Sequence, residues 1–309
     1  MSQSAVPQSA VSQSAVSQSA VKLQPVVRPE YVNATLPPVV TGQVEAPLPL
    51  VQRLFAHTLV RRLLILAVLA VVWEIYARWL DNPLMFPSFS ETLGALWDNT
   101  VNGVIPQRLG VSLRVLVMGY AIGIGIAAIF TTLAVSTRFG TDLLSTLTAM
   151  FNPMPAIALL PLALLWFGLG VPGLVFVIVH SVLWAVALNA HSGFLAVSDT
   201  QRMAGQTFGL SGLRFVALIL IPAAFPAILS GLKIGWAFAW RTLIAAELVF
   251  GVSAGQGGLG WFIFENRNLL ETAGVFAGLM TVMLVGLFVE GVIFQTIERY
   301  TVRRWGMQR

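Results

Sequence analysis

The chain of 309 residues has no cysteine and few charged side chains, and both shortages narrow what it can be. Without cysteine it has no disulfide, no thiolate nucleophile and no cysteine-ligated metal. Charged residues make up 10% of the sequence and hydrophobic residues 57%, whereas a soluble domain carries about 25% charged residues. Much of the protein surface must therefore be solvated by lipid.

Motifs for catalysis are missing as well. A phosphate-binding loop needs Gly-Lys-Ser/Thr after a glycine-rich turn, and neither lysine, Lys22 or Lys233, stands in that context. His57, His180 and His191 lack the spacing of a metal site, so we expect each to be a lone histidine whose ring nitrogens are hydrogen-bonded. No GxSxG nucleophile elbow occurs. We expect no enzymatic activity and no bound cofactor, and any ATP-driven work would need a partner.

The net charge of +5 does not indicate a nucleic-acid-binding protein, because of where the basic residues lie. They stand at the ends of apolar runs, as at Arg61-Arg62 and Arg303-Arg304, and form no basic patch interleaved with aromatic residues. Flanking arginines of this kind orient proteins in membranes. We therefore expect the chain to contact membrane lipid and not nucleic acid.

Residues 1–50 differ from the rest of the chain. A QSAV pentad repeats from Gln3 to Lys22, and a proline-rich stretch continues to Pro49. Such a composition cannot bury enough apolar surface to offset the entropy of ordering. The first 21 residues also lack the charged and apolar regions of a cleavable signal. We predict a disordered low-complexity tail and linker over 1–50 and a transmembrane domain over 51–309.

Apolar runs near the ~20 residues needed to cross a bilayer follow this tail. Their continuity indicates helices and not the alternating pattern of a membrane β-barrel. The sequence therefore predicts an all-α membrane protein with about six transmembrane helices. The predicted spans are Leu59–Leu80, Leu113–Val135, Leu143–Phe167, Val171–Ala190, Phe225–Val249 and Ala273–Thr296.

The arginines also predict the orientation. With the N-terminus in the cytoplasm, most arginines face the cytoplasm, and the opposite side keeps Arg78, Arg108 and Arg267 among acidic residues. Arg114, at the outer end of the second span, is an exception. This orientation puts both termini and the segment between the fourth and fifth spans in the cytoplasm.

That segment, Arg202–Pro222, is polar and punctuated by glycine, between two apolar runs. We predict two short helices, over Gln201–Phe208 and Leu213–Ile221, separated by a helix-ending Gly209, with Pro222 fixing the entry into the next span. From composition alone it is either a stiffened connector or a structured knob that docks onto a cytoplasmic partner.

Several residues of this segment resemble the coupling-loop motif of bacterial ABC importer permeases. That motif reads Glu-Ala-Ala, three residues, Gly, nine residues, Ile-x-Leu-Pro. Ala204, Gly209, Ile219 and Pro222 match it, whereas Met203, Gly205 and Ile221 depart from it. The runs NPMPAIALLPLALLWFGLG from Asn152 and WRTLIAAEL from Trp240 are similar to the nitrate/sulfonate/taurine branch of these permeases, and the resemblance covers most of residues 59–309.

The resemblance implies an inner-membrane permease whose loop, residues 198–222, docks into a dimer of separate cytoplasmic ABC ATPase subunits, where ATP is used. It further implies a second permease copy, an extracytoplasmic solute-binding protein and a small oxyanion or sulfonate-like substrate. With methionine at the motif's glutamate, the role of that carboxylate is open. The implied coupling residues are Arg202, Met203, Ala204, Gly205, Gly209, Ile219 and Pro222.

A substrate pathway is suggested by polar residues and prolines at membrane depth. Lys233 and Arg241 lie within about 80° of each other around one helix, which suits an anion, and Glu247 follows on another face. Pro153 and Pro155 would break the third span and free carbonyls to line a path. Ion pairs, snorkelling side chains and a structural kink are the respective alternatives. Glu74 and Arg78 are expected to form an ion pair on one helix.

Two other functions compete with the permease interpretation. An ion-gradient-driven secondary transporter would need an acidic or histidine relay and an inverted repeat, and neither is visible in the sequence. A passive membrane scaffold would not need a turn-structured cytoplasmic segment.

Overall fold

The structure is a computed structural model that describes residues 58–250 and 257–304. These residues form helices and turns, with no strand among them. The predicted disordered tail lies outside the described residues. The α-helices are α1 Thr58–Leu80, α2 Phe89–Val101, α3 Val104–Ser136, α4 Arg138–Phe151, α5 Leu160–Phe167, α6 Val171–Leu195, α7 Asp199–Thr207, α8 Gly212–Phe215, α9 Ile221–Phe250, α10 Leu259–Asn268, α11 Thr272–Phe288 and α12 Gln295–Glu298.

Five helical runs are long and apolar enough to cross a membrane, and a sixth span results if a bent pair of helices counts as one. The predicted all-α membrane architecture is confirmed. Several helices are longer than their predicted spans. A span predicted from hydropathy ends where polar residues begin, whereas the helical backbone continues through them. The second begins at Val104 instead of Leu113, and the fourth ends at Leu195 instead of Ala190.

The third predicted span, Leu143–Phe167, is not one continuous helix. Helix α4 ends at Phe151, and after a short break a 3₁₀ turn, Ala156–Leu159, leads into α5. The two parts meet at 87°. Pro153 and Pro155 cause the break, because proline offers no backbone N–H and disfavours a helical conformation in the residue before it.

Helix α6 lies at the centre of the bundle and packs most extensively against α9 and α3. Glycines on α3 permit this close approach. A Cβ built at Gly119 would lie 2.7 Å from the Ile178 side chain, and one at Gly123 would lie 2.8 Å from Val182 Cβ. These small residues, four apart on the second span, therefore allow α3 and α6 to pack closely.

Helix α1 lies at the periphery and is attached mainly by aromatic residues. The Trp73 ring contacts Phe86, Phe89 and Phe276, with ring centroids 5.5–5.9 Å apart, and Trp73 Nε1 donates a hydrogen bond to the Pro87 carbonyl at 3.0 Å. The predicted ion pair between Glu74 and Arg78 is present, at 2.7 Å.

The segment between the first two spans contains α2. Its N-terminus has a reciprocal capping box, in which the Ser88 hydroxyl accepts from the Glu91 backbone N–H and the Glu91 carboxylate accepts from the Ser88 backbone N–H. The Glu74 carboxylate accepts a further hydrogen bond from the Ser90 backbone N–H at 3.0 Å. Helix α2 is therefore fixed to α1 at its first turn.

Candidate functional site

The polar segment between α6 and α9 is a well-defined helical loop. Ser198 caps α7 by accepting from the Gln201 backbone N–H. At the other end Gly209 adopts a φ of 71°, its N–H bonds the Gln206 carbonyl, and the Leu210 N–H bonds the Gly205 carbonyl. This is the Schellman arrangement, which requires a left-handed residue where Gly209 stands. The predicted helix end at Gly209 is confirmed.

Arg202 braces this loop against α6 instead of projecting outward. Its Nη2 donates to the Phe194 carbonyl at 2.6 Å, and its Nε donates to the Val197 carbonyl at 3.2 Å. The last carbonyls of a helix have no intrahelical partner, and a guanidinium satisfies them with charge-assisted hydrogen bonds. Arg202 therefore fixes the position of α7 relative to the end of α6.

Gly205 lets α7 lie close to the next helical turns. A Cβ built at this residue would lie 2.8 Å from the Phe215 ring and 2.9 Å from Ile219 Cγ1. An alanine at this position, as in the resembled motif, would force those side chains to shift. The departure from the motif at Gly205 is thus matched by a tight contact with Ile219, another motif residue.

We predicted that a new helix begins at Pro222, and this prediction is wrong because Pro222 lies inside a helical run. The backbone is helical without interruption from Gly212 to Phe250, with a π turn over Val216–Leu220 immediately before Pro222. The Ile221 N–H bonds the Val216 carbonyl, one residue further back than in an α-helix. Because Pro222 has no N–H to donate, the wider turn accommodates it inside the helix.

Three apolar residues are exposed on α7 or just after it, beside exposed polar residues such as Gln201 and Gln206. The Met203 side chain is 58% exposed, Phe208, just after the helix, is 83% exposed, and Ala204 is exposed as well. The position of the motif's glutamate is thus occupied by an exposed thioether. This surface can bury apolar area against a partner and offers no carboxylate from that position.

A cavity of about 360 Å³ lies between the broken third span, α6 and α9. His180 and Trp184 lie near the middle of the 25-residue α6, so the cavity is at middle depth in the bundle. The lining residues are Phe151, Asn152, Pro153, Met154, Pro155, Ala156, Ile157, His180, Ser181, Trp184, Phe238, Arg241, Thr242 and Ala245.

The cavity lies at the break in the third span. Asn152, Pro153, Met154 and Pro155 form the non-helical linker, and all of them line it. Non-helical backbone at membrane depth is tolerated where it is buried in protein or borders a water-filled space. Pro153 and Pro155, predicted to lie on the pathway, are therefore together with Arg241.

Arg241 is the charged residue of this cavity lining. Its Nε donates to the Ala237 carbonyl at 3.0 Å, and its guanidinium carbon lies 5.1 Å from the centroid of the Phe238 ring. Among the described residues no carboxylate forms an ion pair with it. The cavity is therefore positive, with the terminal guanidinium nitrogens uncommitted in the described part of the chain.

Two of the five residues predicted for the pathway lie elsewhere. Lys233 forms an ion pair with Glu298 near the end of the last helical run. Glu247 is 3% exposed, and its carboxylate accepts from Ser112 Oγ at 2.7 Å and from the Gly260 N–H at 2.8 Å. These contacts tie α9 to its neighbours, and neither residue lines the cavity.

Sequence reasoning missed the residues that α6 contributes to the cavity. His180 was expected to be a satisfied histidine, and that expectation is wrong, because neither of its ring nitrogens has a hydrogen-bond partner. Ser181 and Thr242 share a hydrogen bond of 3.0 Å across the contact between α6 and α9. The four-residue spacing of His180 and Trp184 on one helix face was the available signal. Among the described residues no cluster of metal-ligating side chains occurs.

Comparison with known proteins agrees with this architecture. Residues 108–304 match the family model described as binding-protein-dependent transport system inner membrane component. The taurine transport system permease protein TauC of Escherichia coli is 30% identical over 73% of this chain and 82% of its own length. The nitrate import permease protein NrtB of Synechocystis is 28% identical, over 78% and 88% respectively.

A third relative is the putative aliphatic sulfonates transport permease protein SsuC of Escherichia coli, which is 27% identical over 76% of this chain and 88% of its own length. The family match spans well over half of the chain and includes the cavity, the broken span and the helical loop. The chain therefore belongs to the binding-protein-dependent transport system inner membrane components and is a multi-pass inner-membrane permease subunit of an ABC importer.

Proposed function

We propose that the helical loop of residues 198–222 transmits ATP-driven movement from a separate dimer of cytoplasmic ABC ATPase subunits to this permease. The observation that carries this proposal is the exposure of the apolar residues Met203, Ala204 and Phe208 on and just after a helix that Arg202 braces against α6. The loop can transmit movement to the membrane helices only if it is fixed to one of them, and Arg202 fixes it to α6. The nucleotide is used by the partner, since the chain has no phosphate-binding motif.

The number of crossings supports a cytoplasmic position of the loop. If the bent pair of α4 and α5 crosses the membrane once, the chain has six spans, and the loop then lies on the same side as both chain ends. The flanking arginines favour the cytoplasm for that side. The solute-binding protein would then deliver substrate to the opposite face.

The substrate pathway runs through the cavity at the break of the third span, between this chain and a second permease copy. Pro153, Pro155 and Arg241 support this path, because they join irregular backbone to an uncommitted positive charge at membrane depth. The relatives are named for taurine, nitrate and aliphatic sulfonates. A small anion or sulfonate-like solute fits the charge of Arg241.

A pull-down from native membranes in mild detergent tests the coupling role, with an affinity tag after Arg309. The full chain should recover a soluble ATPase. Phe208→Asp should abolish the recovery, because it places a charge on an 83% exposed apolar position without disturbing the fold. Met85→Asp is the matched control, since Met85 is 71% exposed but lies in another segment, after α1.

Uptake by proteoliposomes distinguishes this function from its rival. Transport should require ATP on the side of the loop and should stop in the Phe208→Asp variant. Uptake that persists without ATP while an ion gradient is maintained would instead establish a secondary transporter. Full ATPase recovery by the Phe208→Asp protein would refute the docking surface.

A further inference from the structure

A second cavity, of about 300 Å³, lies between α9 and the last helical run, Thr272–Arg303. Three charged residues line it, Lys233 and Arg241 from α9 and Glu290 from the π turn after α11. Lys233 lies at the middle of the apolar run Val216–Val249, so the cavity is at membrane depth. Charged side chains at such depth face a water-filled space or a protein partner and mark the routes of ions and substrates.

The charged groups of this second cavity are accessible. Arg241 and Glu290 are exposed, and the Lys233 side chain is 32% exposed. Lys233 and Arg241 lie about 12 Å apart along α9 and within about 80° of each other around it. Arg241 also lines the cavity at the break of the third span. Arg241 therefore borders both cavities, and Lys233 borders the second one at a position nearer to the helical loop.

Lys233 is paired with a carboxylate that has a second cation close by. Lys233 Nζ forms an ion pair with Glu298 Oε2, while Arg303 Nη2 lies 3.8 Å from Glu298 Oε1. If an anion replaces Glu298 on Lys233, the carboxylate keeps a positive partner in Arg303. The exchange therefore leaves no charge without a partner, which would be costly in a partly buried cluster.

The charges in and next to the second cavity do not balance. Lys233, Arg241 and Arg303 carry three positive charges. Glu290 and Glu298 carry two negative charges, so one positive charge remains in this set. One monovalent anion would make the set neutral. Lys233 suits such a ligand, because its ammonium is a compact point charge with three rotatable donors.

We propose that the second cavity is a separate site for a small monovalent anion, on the route from Arg241 to the cytoplasm, and that the anion binds Lys233 by displacing Glu298. The released carboxylate then pairs with Arg303. Glu298 is a competing ligand within the chain, so the ion pair forms again when the anion leaves. Passage requires binding that is strong enough for entry and weak enough for release. The proposal rests on the proposed function, because the anion reaches Lys233 through that pathway.

The test uses the full chain with its ATPase in phosphatidylcholine nanodiscs and fluorine NMR of trifluoromethanesulfonate, a compact monovalent anion, with empty nanodiscs as the blank. Lys233→Gln should remove a saturable part of the broadening of the probe signal, and Lys233→Arg should retain it. Glu298→Gln should tighten that part about tenfold, because the competing carboxylate is gone. A purely structural ion pair would give the same direction of change, or no change, in Lys233→Gln and Glu298→Gln, and either result would overturn the proposal.

A double variant keeps the test valid if a single substitution disturbs the fold. Lys233→Gln combined with Glu298→Gln removes both charges of the ion pair, so neither group is left without its partner. The double variant should lack the saturable part of the broadening, as Lys233→Gln does. Binding by the double variant that equals that of the original chain would show that the probe does not contact Lys233.

Two further substitutions test the exchange of partners. Arg303→Gln should weaken the Lys233-dependent binding about threefold, because the released Glu298 then lacks its second cation. Unchanged affinity would refute the exchange. Glu74→Gln is the matched control, because it frees Arg78 from another ion pair that lines neither cavity, and its probe affinity should equal that of the original chain. Tightening by Glu74→Gln as large as that by Glu298→Gln would mean that any freed cation binds the probe, and would overturn the proposal.

Two further arms separate the remaining outcomes. If phosphatidylglycerol in the nanodisc abolishes the Lys233-dependent binding, a lipid phosphate occupies the cavity and the proposal fails. The Phe208→Asp chain should bind the probe normally while losing ATP-driven uptake. Normal ATP-driven uptake together with probe binding that does not depend on Lys233 would refute this site alone, whereas Lys233-dependent binding without ATP-dependent uptake would refute the proposed function alone.

Discussion

Helices α1 and α6 are both long and apolar enough to cross a membrane, yet they occupy opposite environments. In the most apolar part of each, 6% of the α1 residues are buried in the bundle, against 61% of the α6 residues. Hydropathy reports transfer into an apolar medium and does not distinguish lipid from protein. Apolar residues are therefore enough to predict that a helix spans the membrane. Whether that helix lies at the centre or the periphery of the bundle depends on the neighbouring helices that pack against it.

The neighbours of the two helices differ in kind. Helix α6 faces glycines, including Gly123 on α3 and Gly231 and Gly235 on α9, where an added Cβ would lie 2.8–3.1 Å from α6 side chains. Helix α1 is attached by aromatic rings around Trp73. Small residues allow helix axes to come close and contacts to multiply, whereas large rings hold a peripheral helix at one end.

Substitution of a single glycine at the α6 contact should have the largest effect on stability. Gly123→Leu should lower the free energy of unfolding by about 3 kcal/mol, because even its Cβ would lie 2.8 Å from Val182 Cβ and the helices would be forced apart. Gly125→Leu is the control, since nothing lies within 4 Å of a Cβ there. Thermal unfolding in detergent measures both. Equal melting temperatures for the two variants would contradict the close contact of α3 and α6.

Removing a large side chain from α6 should cost somewhat less. Ile178→Ala should destabilise the fold by about 2–3 kcal/mol, because Ile178 is fully buried and its contacts would be lost to a cavity. The counterpart on α1, Leu66→Ala, should change stability by less than about 0.5 kcal/mol, since Leu66 is largely exposed to the surroundings of the bundle. The same unfolding assay compares them. Similar losses would mean that α1 is covered by another molecule in the preparation.

Substitution of an arginine that contacts each helix should give the smallest difference in stability, at Arg202 for the end of α6 and at Arg78 for α1. Arg202→Ala should cost about 1.5–2 kcal/mol, because it removes the guanidinium's hydrogen bonds to the Phe194 and Val197 carbonyls. Arg78→Ala should cost less than about 1 kcal/mol, since that ion pair with Glu74 is on the exposed side of α1. Hydrogen exchange is the direct readout, and protection should fall in α7 only for Arg202→Ala. Unchanged protection in α7 would show that Arg202 is not its brace.

Features that depend on neighbouring residues in the sequence were predictable. The helix end at Gly209, the ion pair of Glu74 and Arg78 and the existence of the spans follow from local backbone preference, four-residue spacing and continuous hydropathy. The position of the break at Pro153 and Pro155 also followed from proline chemistry. Its bend of 87° did not, because an angle depends on what packs against both halves.

Features that join distant residues were not predictable. Ser112 and Glu247 are 135 positions apart, and Lys233 and Glu298 are 65 positions apart, so no local pattern pairs them. Arg202 looked like an exposed docking residue because its acceptors belong to the preceding helix and carry no sequence signal. The cavity lining from α6 was missed for a related reason, since His180 resembles any other core histidine until the walls around it are known.

The uninterrupted helical run from Gly212 to Phe250 has a mechanical consequence. At about 1.5 Å per residue, Arg241 lies about 39 Å along this rod from Phe215, at the foot of the loop. When a stiff helix tilts, each residue is displaced in proportion to its distance from the point about which the helix turns. If the loop has the proposed coupling role, a tilt of this helix about the π turn before Pro222 would displace the Arg241 guanidinium relative to α6.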